Sequence, residues 1–251
     1  MKSEASPYNF LAVPATPTRG NVTVFVTDVL RQAIVTLELK PGEIIDKSAI
    51  CDRLRVSRFP VSEALARLQA EGLVDILPQR GSTVSLVRIS DVLEYMLIRK
   101  ALESEAVRVV TSNHSDELIE TLQRSMSYQK AACEIDDQYG FHERDLEFHD
   151  IIFGDMRFSK VKAVIEHTRA NLDRARRLIL TPRRLTVSMS EHQKILDGIV
   201  AGDPARAAQA MRAHIDSVIA ELINFARDHP ELFADGDLLR TDPSYASFPF
   251  G

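Results

Sequence analysis

Apolar residues recur at Ile50, Leu54, Val61, Leu65 and Leu68 on either side of a break at Arg55-Val56-Ser57. That spacing predicts two short helices joined by a tight turn. Ser57 is placed to cap the second helix, Pro60 fits only its first turn, and Glu63 falls in its early turns. Beyond the Gly72 stop, Val74 to Leu77 and Thr83 to Val87 flank Pro78-Gln79-Arg80-Gly81-Ser82, which reads as a β-hairpin. Its tip, with Gln79, Arg80 and Ser82, offers a cation and polar donors for a minor groove or phosphates. Upstream, Val24 to Leu37 suggests one more helix, stopped by Leu39-Lys40-Pro41-Gly42. Two helices, a turn and a hairpin make the outline of a winged helix-turn-helix.

From Asp91 onward the period is 3.6 nearly throughout, as in Val92-Leu93, Met96-Leu97, Ala101-Leu102 and Ala106-Val107. Six or seven helices are expected, with junctions at 111–116, Gly154-Asp155, Thr181-Pro182 and Gly202-Asp203-Pro204. The fold class is therefore mainly α: an N-terminal winged helix-turn-helix followed by an all-α antiparallel bundle. The expected boundaries are a flexible tail over 1–20, the winged unit over 21–88, a helical domain over 89–228 and a C-terminal tail over 229–251.

Composition changes this picture little. A chain of 251 residues, 45% hydrophobic, can hold one small and one larger core. The sequence shows no apolar run of transmembrane length and no signal-peptide centre near Met1, so a cytoplasmic protein without a membrane partner is expected. Cys51 and Cys133 fit reduced thiols. The net charge of -5 is uneven: residues 21–88 hold nine Lys/Arg against eight Asp/Glu, residues 89–251 twenty against twenty-seven. DNA affinity would thus come from local charges such as Arg53, Arg58, Arg67 and Arg80 rather than from a broad field.

In the helical half, Asp145 and His149 stand at i and i+4 on one helix face. His192 lies ten residues before Gly202-Asp203-Pro204, and His214 about as far after it, so an antiparallel pair with near-equal arms brings both level. One carboxylate and three imidazoles suit a first-row divalent metal, zinc first, with nickel, manganese or iron as alternatives. The competing reading is a hydrogen-bonded polar core. His114, His142, His167 and His229 lack matching partners.

Leu39-x-Pro-Gly, Val56-Ser57-Arg58-x-Pro60-Val61-x-Glu63-Ala64-Leu65-x-Arg67-Leu68 and Glu71-Gly72-Leu73 to Gly81 resemble the reader of GntR-family bacterial transcription regulators. Arg99-x-x-Leu102-Glu103, Asp145-x3-His149, and Glu191-His192 through Gly202-Asp203 to His214 resemble the FCD effector domain of its FadR-type subgroup, nearest to the metal-containing, VanR-like members. The resemblance covers about residues 22–225. It implies a homodimeric repressor on a pseudo-palindromic double-stranded operator, with Asp145, His149, His192 and His214 holding the metal. It also implies a small carboxylate effector at the metal's open positions, with Arg99 as charge partner and Asn171 and Arg174 in the pocket. The DNA contacts it implies are Ser48, Ser57, Arg58, Phe59, Ser62, Arg67, Arg80 and Gly81, with Arg58 suited to guanine. Phe59, Ser62 and Ala66 depart from the residues common in the family, which alters the expected operator. The alternative class, a metal-dependent hydrolase or lyase with a DNA-binding head, lacks an acid-base residue beside the ligands, since Glu147 and Asp150 fall on other faces. A purely structural metal is a third reading.

Overall fold

The structure is a computed structural model and describes residues 8–11, 22–155 and 159–241, apart from the side chains at 155–159, 162–163 and 165–171. The chain folds into two compact units, residues 1–88 with 231–234, and residues 89–230 with 235–251.

In the first unit, α1 (Val22–Val35), α2 (Lys47–Leu54) and α3 (Arg58–Ala70) enclose a core of Val26, Leu30, Ile34, Ile50, Leu54, Val61, Leu65 and Leu68. These are the positions whose spacing predicts helices. Asp46 caps α2, its carboxylate accepting from Ser48 N at 2.8 Å and Ala49 N at 3.0 Å. Arg55 ends α2 in the left-handed conformation and turns the chain into α3. Ser57 occupies the N-cap of α3 with extended backbone, yet its hydroxyl makes no cap bond, unlike the expected arrangement.

The hairpin is β2 (Val74–Leu77) and β3 (Gly81–Val84), and a two-residue strand, β1 (Ile44–Ile45), adds to β3. All pairs are antiparallel, with Ile45 opposite Ser82 and Ile76 opposite Ser82 on the other side. Ser82 is therefore central and fully buried, not at the tip as expected, because side chains alternate and Val84 also faces inward. The tip is Pro78 to Arg80, all exposed.

Part of the N-terminal tail is docked. Tyr8 and Leu11 are buried in this core, Asp46 N donates to Tyr8 Oη at 2.8 Å, and Arg53 donates to the carbonyls of Tyr8, Asn9 and Leu11 at 3.1, 2.8 and 3.0 Å. Arg53, counted above among the DNA charges, is occupied with its own chain. Arg53→Ala should therefore lower stability by about 1.5–3 kcal/mol, the range for hydrogen bonds to a charged group. It should leave the slope of log affinity against log salt unchanged, because no phosphate contact is lost; a shallower slope would return Arg53 to the DNA surface.

The second unit contains six long helices among the described residues: α4 (Ile89–Ser112), α5 (Asp116–Glu134), α6 (Gln138–Asp155), α7 (Ser159–Leu178), α8 (Pro182–Val200) and α9 (Pro204–Asp228). A short α10 (Leu238–Thr241) follows. The caps follow the sequence signals: Ser115 for α5, Thr181 with Pro182 for α8, and Asp203 with Pro204 for α9. The α5–α6 junction at Ile135 to Asp137, where Asp136 has positive φ, is one the periodicity did not mark. Between α8 and α9, Gly198 lies against Ala207 so closely that a β-carbon on it would stand 2.8 Å from the Ala207 backbone. Gly198 thereby sets the spacing of the helix pair that carries His192 and His214. No described helix is long and apolar enough to cross a membrane.

Candidate metal centre and nucleic-acid interface

Asp145 and His149 on α6, His192 on α8 and His214 on α9 meet in the interior of the bundle, one ligand atom of each lying within 4.8 Å of all the others. All four are buried. Phe148 stacks on His192 with ring centroids 4.5 Å apart and planes 10° from parallel, fixing that imidazole's plane.

The orientation of the rings comes from a surrounding layer of side chains. His192 Nδ1 faces Gln129 Oε1 of α5 at 2.7 Å, and the Gln129 amide is itself oriented by donating to the Arg144 carbonyl at 3.3 Å. His214 Nδ1 faces Glu191 Oε2 at 2.9 Å. His149 Nδ1 stands 2.6 Å from Glu103 Oε2 of α4, though off the angle of a well-directed hydrogen bond. Gln129 and Glu191 place the proton on Nδ1 of His192 and His214, leaving the two Nε2 lone pairs to face each other. His192 Nε2 is then 3.4 Å from His214 Nε2 and 3.5 Å from Asp145 Oδ1, and His149 Nε2 has no hydrogen-bond partner. Two lone pairs aimed at each other repel unless a cation lies between them. Edges of this length are close to the roughly 3.4 Å subtended at a tetrahedral centre by bonds of about 2.1 Å, so the donor set fits a divalent metal.

Three arginines complete the layer. Arg176 of α7 donates to Asp145 Oδ2, Arg99 of α4 donates to Glu103, and Arg184 of α8 donates to Glu191 at 2.8 Å and to Ser217 at 2.7 Å. Burial acts to raise the Asp145 carboxyl, and Arg176 together with the imidazoles outweighs it, holding the group well below the usual carboxylate range. Glu103 is lowered likewise, burial being overcome by Arg99 and His149. His192 is pushed well below its ordinary value by burial and then by His214, and His214 by burial and then by His149. The two imidazoles are therefore neutral near pH 7 and available as ligands.

Of the residues proposed for an effector, Arg99 lines a cavity of about 20 Å³ with Glu103, Leu146, His149, Asp150, Phe153, Leu172 and Asp173. Arg174 is fully buried on α7, and Arg176, two residues on, is the arginine that reaches Asp145. The Asn171 side chain lies outside the described residues, as does that of His167. Asp150 borders the cavity beside His149, whereas Glu147 pairs with Arg144 at 2.7 Å. The sequence reading missed Glu103, Gln129, Arg176, Arg184 and Glu191 as members of the site. Glu191, next to His192, and Glu103, within the Arg99-x-x-Leu102-Glu103 motif, carried a signal; Gln129 carried none.

In the first unit, Ser48, Ser57, Arg58, Phe59, Ser62, Arg67, Arg80 and Gly81 are all exposed. Phe59 is 72% exposed in the first turn of α3, where a soluble surface gains nothing from an aromatic ring. Ser57, Arg58, Phe59 and Ser62 cluster at the N-terminal end of α3, the end of a recognition helix that meets base edges.

Residues 23–84 match the family of bacterial regulatory proteins of gntR type, and residues 94–217 match the FCD domain. The chain is 32% identical over 210 residues to an HTH-type transcriptional regulator in an unstable DNA locus of Streptomyces ambofaciens, covering 82% of this chain and 86% of that one. It is 26% identical to the HTH-type transcriptional repressor RspR of Escherichia coli K12, over 82% of this chain and 91% of that one. Among solved structures, a GntR transcriptional regulator from Rhodococcus sp. RHA1 superposes with a TM-score of 0.69 at 21% identity, over 80% of this chain and 97% of that one. E. coli McbR/YncC does so with 0.66 at 22% identity, over 81% and 97%. The Streptomyces, E. coli RspR and Rhodococcus proteins are named as transcription regulators. With a helix-turn-helix and wing in front of a helical FCD domain, the chain belongs to the gntR family of bacterial DNA-binding transcription regulators.

Proposed function

We propose that the protein is a metal-dependent, ligand-responsive repressor, binding a pseudo-palindromic operator as a homodimer and sensing a small carboxylate metabolite. The observation that carries this reading is the convergence of Asp145, His149, His192 and His214 in the bundle interior, one ligand atom of each within 4.8 Å of all the others. Zinc is the first choice for three imidazoles and one carboxylate, with nickel, manganese and iron as alternatives. A bound divalent ion supplies Lewis-acid positions that a carboxylate can occupy.

Charge explains why the ligand is an anion. The carboxylates of Asp145, Glu103 and Glu191 are each matched by one guanidinium, from Arg176, Arg99 and Arg184. With those three carboxylates neutralised, a divalent metal adds positive charge to a buried site where only Asp150 and Asp173 on the cavity lining stand near to offset it, which favours an anionic partner. Arg99 borders the cavity beside His149 and is placed to meet such a partner. A cavity of about 20 Å³ is about the size that holds one water molecule. Entry of a carboxylate therefore displaces its lining on α4, α6 or α7, and that displacement is the differential contact an effector needs in order to favour one state over another.

On the DNA side, Arg58 is proposed to read guanine, Phe59 to contact a thymine methyl, Ser62 and Arg67 to face the groove, and Ser48, Ser57, Arg80 and Gly81 to meet the backbone. The repressor sense rests on the name of the E. coli relative. The test is metal analysis of the purified protein beside Asp145→Ala and His192→Ala, with operator affinity and oligomeric state followed as succinate and citrate are added at fixed salt. One metal per chain, lost in both variants, with a carboxylate weakening DNA binding by the wild type alone, is the expected result. A metal-free wild type would reduce the four residues to a polar core, and a stable monomer on DNA would overturn the dimer.

A further inference from the structure

The C-terminal segment after α9 does not trail away. Within the first unit, Val87 N donates to Leu232 O at 3.1 Å, Ala234 N donates to Val87 O at 2.8 Å, and Val87 pairs with Phe233 as a parallel bridge. Val87 and Phe233 are both buried. Within the second unit, Asp235 receives Ile89 N at 2.7 Å, Ser90 N at 3.2 Å and Ser90 Oγ at 2.5 Å. Asp235 thus gives the start of α4 the capping contacts that a neighbouring residue ordinarily provides, from a distance of 145 positions.

Connectivity gives these contacts their meaning. The chain passes between the two units at 88/89, at 230/231 and at 234/235. The linker is bound on both sides of Arg88 by one five-residue segment, and that segment continues from α9 through the 3-10 turn Pro230–Leu232. The two helices adjoining this strap both reach the candidate metal centre. α9 carries His214 and α4 carries Glu103, the partner of His149, each about 21 Å along its helix from the end that meets the strap. Residues 231–235 and the linker residues 85–93 lie outside both matched family ranges.

We propose that residues 231–235 are a strap that transmits the state of the metal centre to the linker of the DNA-binding unit. This rests on the metal reading above. A shift of α9 or α4 against the other is delivered to Val87, Ile89 and Ser90, because the strap is bonded to all three and joined covalently to α9.

The amides of Val87, Ile89, Ser90 and Ala234 report on the strap directly. Their hydrogen exchange is followed in the full chain, stripped of metal and with one equivalent of Zn²⁺. In parallel, affinity is measured for a duplex selected by the zinc-loaded wild type from a random pool. Zn²⁺ is expected to change exchange at these amides by about fivefold or more, within the usual range of coupling between sites, and to change DNA affinity by a similar factor. Asp235→Ala should bind zinc with unchanged stoichiometry while both responses fall to within about twofold of none. Asp235→Asn, which keeps one acceptor, serves the same comparison if the alanine variant does not fold. If zinc binds and alters exchange around His149, His192 and His214 but not at these four amides, or if the Asp235 variants keep the full response, the strap is overturned and the metal centre stands. If no zinc binds, both fail together.

Discussion

Arg176→Met should destabilise the metal-free protein by about 3–5 kcal/mol, the usual cost of removing one partner from a buried ion pair. Asp145 has no water to turn to, being buried with its Oδ2 on Arg176 and its Oδ1 3.5 Å from His192 Nε2. Methionine fills much of the arginine's volume, so loss of packing contributes little to the expected change. The variant separates two roles for Asp145. If the four residues are a metal centre, Zn²⁺ supplies the missing positive charge, and the variant should regain more stability from zinc than the wild type does. A polar core without metal affinity predicts the same destabilisation with no rescue. Unfolding by urea, with and without zinc, reads both results from one pair of curves.

The elements that the sequence made legible share a local cause. Helix periods, Asp46, Thr181 and Asp203 before their helices, and Pro182 and Pro204 at first turns are each decided within a few residues. The meeting of the four clustered residues was legible for nearly the same reason: Asp145 and His149 are one turn apart, and His192 and His214 are level because Gly202-Asp203-Pro204 folds two equal arms together. The layer behind these ligands draws on all six long helices, and no spacing rule relates Gln129 on α5 to His192 on α8. Arg174, Arg176 and Arg177 follow one another on α7, and only packing decides that Arg176 meets Asp145 while Arg177 meets Glu143. Tyr8, Leu11 and Asp235 were assigned to tails because the partners that order them, Arg53, Asp46 and Ser90, are remote in sequence. β1 escaped notice because two residues are too short to show alternation. Ser82 was recoverable, since period two counted back from Val84 turns it inward.

Acid should unfold the metal-free protein far more readily than the zinc-bound one, beginning below about pH 6.5, the ordinary histidine value. His142, His192 and His214 are all held well below that value, each first by burial and then by neighbouring positive or titrating groups: Arg176 for His142, His214 for His192, and His149 for His214. His142 is buried with no hydrogen bond to either ring nitrogen, and Asp145 together with Asp173, 3.9 Å from its Nε2, does not outweigh burial and Arg176, so its protonation stays unfavourable. As the pH falls through 6.5 the unfolded chain takes up protons that the folded chain refuses, and stability declines with pH. Each group adds at most about 1.4 kcal/mol per pH unit, so three approach about 4 kcal/mol per unit, enough to remove most of a typical domain's stability within two units. Zinc on the Nε2 atoms of His192 and His214 opposes protonation at those two rings and shifts the acid limb to lower pH, whereas His142 keeps its full sensitivity. His142→Phe in the metal-free protein should accordingly flatten the decline by about one third without altering zinc stoichiometry. Thermal midpoints recorded from pH 7.5 to 5.0 test the slope. Equal acid sensitivity with and without zinc would mean that the imidazoles of His192 and His214 do not meet the metal.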